Sequence, residues 1–287
     1  MKYAFIRDQQ HHHHVSALCE VLQVSRSGYY DWLDRAESMR VQQDRQLLVH
    51  VRRTHLQNRQ TYGARKTWRA LNDEGIVCGR DRIARLRRTH GIEALRRRRF
   101  RTITEHHKTA PPAPDLLERR FTANEPNQIW VGDITFIRTR QGWLFLAVLV
   151  DLFSRRIVGW AMGGRATEAL ALQALEMALQ RRAPQGEVIH HTDRGAQYTA
   201  TGYRARMKEA DINPSMNRGK NPRDNAVAES FFSNLKNELV HHRDFRTHDE
   251  ARAAIFDYME VFYNRKRIHQ SLGYKTPAQF EREWCDS

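Results

Sequence analysis

The sequence predicts an α/β fold, a mixed five-stranded sheet with flanking helices, preceded by an all-α helix-turn-helix region. Three observations lead there. Apolar residues recur at helical spacing up to a proline-rich stretch, Ala110-Pro111-Pro112-Ala113-Pro114, and the periodicity changes after it. Beyond it, three β-branched and aromatic runs follow one another, the first two separated by the hairpin signal Arg140-Gln141-Gly142, and then helix and strand alternate. Charge is also uneven: residues 40–101 hold 18 Lys and Arg against 5 Asp and Glu, whereas residues 123–287 hold 23 against 20.

The chain has 287 residues, a formal charge of +15 and 40% hydrophobic residues, enough for a folded core and for two domains. Its longest apolar run, Trp143 to Val150, is far short of the roughly 20 residues a membrane span needs, and the N-terminus lacks an apolar leader. Three separated cysteines, Cys19, Cys78 and Cys285, form neither a disulfide framework nor a metal knuckle. A reducing, cytoplasmic setting is expected. The basic excess suits a polyanion, because each phosphate neutralised releases counterions, and arginine suits phosphates and guanine edges better than solubility alone requires.

In order, residues 1–38 read as a helical lead-in, with Val15, Leu18, Val21 and Leu22 before the turn Ser25-Arg26-Ser27-Gly28 and an aromatic face at Tyr29, Tyr30 and Trp32. His11 to His14 read as a polar patch. Residues 39–101 form the basic helix-turn-helix domain: a helix over 40–58, a second from Tyr62 to Leu71, the turn Glu74-Gly75, and a third from Arg80 to His90 with Ile83 and Leu86 inward. Arg80, Arg82, Arg85, Arg87 and Arg88 then line the face offered to the DNA major groove. Residues 102–122 are a linker and 123–287 a second domain. There, strands are expected at Ile129–Thr139, Trp143–Ser154, Arg156–Met162, Val188–His191 and Ile212–Met216. Helices are expected at Thr167–Arg182, Thr199–Ala210, Asn225–Val240 and His248–Asn264.

Three acids stand out. Asp133 lies mid-strand, where an unpaired carboxylate is costly; Asp193 follows a buried strand, at the edge where open α/β sheets place ligands; Glu229 lies in a helix. Between Asp193 and Glu229 lie 35 residues. Carboxylates converging from separate elements repel unless a cation sits among them, and Mg²⁺ or Mn²⁺, as a pair of ions, suits hard oxygen ligands and phosphodiester displacement. Seven residues on, Lys236 shares a helical stripe with Glu229, roughly 10 Å along the axis, as does Asn225. Arg194 flanks Asp193, as do His190 and His191. Arg223 belongs to the polar loop Asn217–Arg223, read as either a flap or a plain connection. Asp151 reads as structural.

Asp133 within Trp130-Val131-Gly132-Asp133-Ile134-Thr135, Asp193 within His191-Thr192-Asp193-Arg194-Gly195-Ala196-Gln197-Tyr198, and Glu229 within Asp224-Asn225-Ala226-Val227-Ala228-Glu229 resemble the DDE core of retroviral integrases and transposases. With Tyr62-Gly63-Ala64-Arg65 and the tail Tyr263 to Pro277, the chain more closely resembles second-frame (OrfB) transposases of the IS-three family of bacterial insertion sequences. The resemblance implies a ribonuclease-H-like fold, with Asp133, Asp193 and Glu229 as metal ligands and Lys236 as a DNA contact. It implies DNA strand cleavage at element ends and strand transfer, terminal inverted repeats and target DNA as partners, and a homo-oligomer in the synaptic complex. It also implies a first-frame (OrfA) product or fusion upstream, since no heptad zipper appears in residues 1–38. No zinc is expected. The tail residues Asn264, Arg267 and His269 serve either DNA contact or domain packing. A non-catalytic DNA-binding regulator of transposition is the alternative, against which stands the presence of all three acids.

Overall fold

In the computed structural model, residues 2–95, 113–118, 122–217 and 225–286 are described; Arg96–Arg99, Arg101 and Arg223 lie outside them. The chain divides into two compact units, Met1–Arg52 and Arg53–Ser287. In the first, α1 (Lys2–Gln9), α2 (Val15–Val21) and α3 (Arg26–Asp34) bury Ile6, Cys19 and Tyr29 against Tyr3, Leu18 and Trp32. The Ser25 hydroxyl caps α3 by accepting from the Gly28 amide at 3.0 Å. Helix α4 (Met39–Gln57) begins in this unit.

In the second unit, α5 (Ala64–Asp73) and α6 (Arg80–Thr89) pack apolar stripes against each other that bury Leu71, Ile83 and Leu86. Gly75, at φ +82°, makes the turn between them, and the Trp68 indole closes it by donating to the Cys78 carbonyl at 2.8 Å. One expected groove residue is corrected here. Arg87 is buried, and its guanidinium donates to the Thr67 hydroxyl at 3.2 Å. It lies on the Ile83 stripe at i+4, so it faces the helix pair and not the groove. Arg80, Arg85 and Arg88 are exposed and Arg82 half-buried.

The sheet has five strands in the order β3-β2-β1-β4-β5: β1 (Ile129–Thr139), β2 (Gly142–Asp151), β3 (Ile157–Gly163), β4 (Val188–Thr192) and β5 (Ile212–Met216). The first three are antiparallel, and β4 and β5 join β1 in parallel, as parallel neighbours reached through helical crossovers must. One face carries α7 (Glu168–Arg182) and α9 (Thr201–Glu209), packed with Trp130, Leu149, Ala174 and Tyr203. The other carries α10 (Ala226–Glu238) and α11 (His248–Phe256), packed with Leu146, Val148, Phe231 and Leu235. This is the predicted architecture, with helices on both faces.

Two helices differ from expectation. The one expected at Thr199–Ala210 breaks at Ala200, which has extended ψ 146°, giving a short α8 (Ala196–Thr199) before α9. The one expected to end at Asn264 widens into π-helical turns over Asp257–Tyr263. There Asp257 pairs with Arg59, and Glu260 accepts from the Trp160 indole at 2.8 Å. After it, α12 (Pro277–Cys285) starts from a Thr276/Gln279 capping box and buries Glu281 against Ser154, Arg156 and Arg182. Asp151 is structural, accepting from the Asn127 and Ser154 amides at 2.7 and 2.9 Å. Among the described residues, no helix is long and apolar enough to cross a membrane.

Candidate active site

The hairpin β1–β2 and the parallel partner β4 place the two aspartates. Pairing runs from Ile129 with Ile189 to Val131 with His191; β4 ends at Thr192, so Asp193 follows directly at its C-terminal end, where its charge acts on Asp133. Asp133 faces the α10 side of the sheet, opposite Val148, and is half-buried. Its Oδ1 accepts from the Ile134 amide at 2.7 Å, and Oδ1 of Asp193 accepts from the Gly195 amide at 2.9 Å.

Why glycine precedes Asp133 is a matter of space. A Cβ on Gly132 would lie 2.6 Å from Cε1 of His190, well inside contact distance. His190 fills that place because its Nδ1–H donates to the Trp130 carbonyl at 3.1 Å, leaving Nε2 to accept from the Tyr203 hydroxyl at 2.8 Å. His190 and His191 are thus buried strand contacts, the latter 2.9 Å from the Ser215 hydroxyl, and neither is available to position phosphate.

Glu229 is exposed in the first turn of α10, where the helix dipole favours an anion. Burial raises the Asp133 carboxyl well above the usual carboxylate range, and the charges of Asp193 and Glu229 push it further. The Lys236 ammonium opposes them. Lys236 is half-buried, two turns after Glu229, with its ammonium 5.1 Å from the Phe136 ring centroid. Burial lowers its pKa while Asp133 holds it up. Asp193, Glu229 and Lys236 therefore all act on Asp133.

Asn225 does not point outward beside Glu229 and Lys236. It is buried at the start of α10, and its amide nitrogen donates to the Gly132 carbonyl at 3.2 Å, which ties α10 to β1 next to Asp133. Its Oδ1 is buried without a hydrogen-bond partner among the described residues. Arg194 is exposed, with Nε donating to the Asn217 carbonyl at 2.7 Å. Two residues escaped the sequence reading. Phe136 seats Lys236, and Tyr198, buried beside the aspartates, has its hydroxyl pushed up by burial and by both of their charges. Tyr198 closes the Asp193 segment, a signal within reach of the sequence.

The tail resolves into packing. The Asn264 side chain brackets the Ile157 backbone, accepting from its amide at 2.9 Å and donating to its carbonyl at 3.1 Å. Arg267 pairs with Glu238 at the end of α10. Among the described residues no group of three His, Cys, Asp or Glu side chains has the geometry of a formed metal site. The donor set still fits a hard divalent cation: three carboxylates, two of them acting on one another from β1 and from the end of β4, and the orphaned amide oxygen of Asn225, whose nitrogen is held on Gly132 next to Asp133.

Integrase core domain models match residues 123–222 and 210–277, and an HTH-like domain model matches residues 42–100. A transposase InsF for insertion sequence IS3A of Escherichia coli K12 is 40% identical over 287 residues, covering 99% of each chain. The uncharacterized 31 kDa protein of insertion element IS600 from Shigella sonnei is 43% identical over 267 residues, 93% of this chain and 98% of the relative. Among solved structures, the HTLV-2 integrase catalytic core in complex with magnesium is 18% identical with a TM-score of 0.42, covering 55% of this chain and 98% of that one.

Proposed function

Given that the chain belongs to the IS3-type insertion-sequence transposases, and so is a DNA-binding transposase with an integrase core, we propose that Asp133, Asp193 and Glu229 form its catalytic site and hold its divalent metal. The observation that carries this is the convergence on Asp133: Asp193 acts on it from the end of β4, Glu229 from α10, and Lys236 of the same helix opposes them. Such like charges are costly to hold together without a cation.

When bound, Mg²⁺ or Mn²⁺ ions supply activation of the attacking oxygen and stabilisation of the leaving one. The chain's own residues supply position. Asp133 is fixed on β1 by the sheet register and by the Asn225 tie; Asp193 is fixed by the Gly195 amide; Glu229 approaches from a rigid helix. Lys236 presents its ammonium beside Asp133, where a backbone phosphate of the bound strand brings a compensating charge. The chemistry is phosphoryl transfer without a protein nucleophile. Water bonds to phosphorus and the 3′ oxygen leaves and is protonated, giving a free 3′ hydroxyl; that hydroxyl then bonds to a target phosphorus and displaces its 3′ oxygen.

The exposed Arg80, Arg85 and Arg88 of α6, with half-buried Arg82, read as the DNA-facing set of the helix-turn-helix, directed at the element's terminal inverted repeats. Joining two ends requires both to be held at once, so the working form is a homo-oligomer, with the first-frame product or fusion as a further partner. Residues 39–101 form the DNA-binding segment and 123–287 the catalytic one.

The test uses labelled DNA carrying an element end, with Mg²⁺, comparing the protein with Glu229→Gln. Nicking and strand joining are expected from the unaltered protein and from the variant neither, with DNA binding retained. Equal activity in both would remove Glu229 from the site.

A further inference from the structure

A second recess lies away from the acids, where the first turn of α5 meets the C-terminal tail and the end of α10. It is about 240 Å³ in volume and lined by Gly63, Arg65, Lys66, Asn237, Gln270 and Tyr274, with the Arg267–Glu238 pair in its wall. Its walls are fixed relative to one another by Tyr62, whose buried hydroxyl donates to the Lys266 carbonyl at 3.1 Å and accepts from the Ile268 amide at 2.8 Å. Beside this joint the Arg59 guanidinium sits over the Phe262 ring at 5.0 Å, and the Arg69 guanidinium lies 5.3 Å from the Tyr274 ring.

The lining has the chemistry of a phosphodiester site. Arg65 is exposed and Lys66 half-buried, both on the first turn of α5, while the one acid in the wall, Glu238, is already neutralised by Arg267. Summed over its lining, Arg65, Lys66 and Arg267 against Glu238, the recess has a formal excess of two positive charges, with an amide side chain from Gln270 and an aromatic surface from Tyr274. Asn237 immediately follows Lys236, so the recess opens about 12 Å along the α10 axis from Glu229. On a B-form strand that is three to four nucleotides at about 3.4 Å each. At that distance from Glu229 the phosphate it meets is a flanking one and not the scissile one.

We propose that this recess binds a backbone phosphate of the DNA flanking the cleavage point, making α5 and the tail one composite contact rather than two separate parts. The proposal rests on the catalytic reading above for the identity of the DNA position, and on the recess alone for phosphate binding.

Two variants test it on a duplex of unrelated sequence, since phosphate contacts are independent of base sequence. Arg65→Ala combined with Lys66→Gln removes the contact to that one phosphate and is expected to flatten the slope of log affinity against log salt by about 0.9. Gly63→Asp is the decisive partner. A Cβ there meets nothing within 4 Å, and aspartate is a favourable residue at the start of a helix, so thermal stability should hold or rise. Its carboxylate at the recess mouth should nonetheless weaken binding about fivefold, the effect of one added like charge at about 1 kcal/mol. Unchanged slope in the double variant, or unchanged affinity in Gly63→Asp, overturns the proposal. Nicking by the unaltered protein, measured on element-end DNA in parallel, reports separately on the catalytic reading.

Discussion

Arg267 and Glu238 meet edge to edge, Nη2 to Oε1 at 2.7 Å and Nε to Oε2 at 2.9 Å, and so fasten the C-terminal tail to the helix that carries Glu229 and Lys236. The Tyr258 hydroxyl donates to the same carboxylate at 2.8 Å. Burial works against the charge of Arg267, but the Glu238 carboxylate outweighs it and holds its pKa above the usual value. Both side chains are largely withdrawn from solvent, so removing one strands the other. Arg267→Ala is expected to cost about 3 kcal/mol of stability. Arg267→Lys should recover only part of it, because an ammonium cannot match the two-edged geometry. Chemical denaturation decides this, and a loss in Arg267→Ala below about 0.5 kcal/mol would place the pair among ordinary surface contacts.

How far this fastening could be read from sequence depends on distance along the chain. The strands were legible because runs such as Trp143 to Val150 are apolar and β-branched over a length only a buried strand uses, and β1 and β5 begin and end where expected. Asp133 stood out because a carboxylate inside such a run requires a reason. Asn264 and Arg267 gave no such signal. Their partners, the Ile157 backbone and Glu238, lie 107 and 29 residues away, and nothing local distinguishes an arginine that pairs inward from one that meets DNA. The π-helical turns at Asp257–Tyr263 are of the same kind, since the contacts to Arg59 and Trp160 come from remote segments. Arg87 differs, because its position four residues after Ile83 was in the sequence and marked it as inward.

Asp133→Asn should make the protein more stable in metal-free buffer. The sign follows from the raised pKa of Asp133: the stability tied to its protonated form is present below the usual carboxylate range and lost as pH rises through its elevated value. An amide has no such loss. At neutral pH the gain is expected to be about 1–2 kcal/mol, the common scale for relieving a functional site, shrinking toward zero in acid. Added Mg²⁺ should raise the melting temperature of the unaltered protein and leave Asp133→Asn unmoved. An equal metal response in both would take Asp133 out of the metal site.

His190 makes the opposite prediction for acid. Burial lowers its pKa to about 4, with neighbouring His191 adding to the shift against the bond to the Trp130 carbonyl. A depressed histidine contributes stability that is present above its ordinary pKa of 6.5 and drains as pH falls toward 4. Between pH 7 and 5 the protein should lose about 2 kcal/mol through this one group. Denaturant midpoints for the unaltered protein and His190→Gln should show it, with the variant less stable at pH 7 and flatter across the range. Parallel pH curves would mean that His190 is protonated at no cost and that its two bonds do not hold β4 to β1 and to α9.

Five arginines on one helix allow the two roles of α6 to be separated. Arg87 is buried against Thr67 and its pKa is lowered by that burial; Arg85 and Arg88 are exposed. Arg87→Ala should therefore act on folding, costing about 1–2 kcal/mol through a lost buried hydrogen bond and the packing of its stem. Arg85→Ala and Arg88→Ala should each stay within about 0.5 kcal/mol of the unaltered stability, yet each should lower the salt slope of DNA binding by about 0.9. Thermal melts and binding at several salt concentrations read the two effects independently. If Arg87→Ala lowered the slope while remaining fully stable, the groove-facing surface would be the α5–α6 seam, and the exposed arginines would be solvent-facing only.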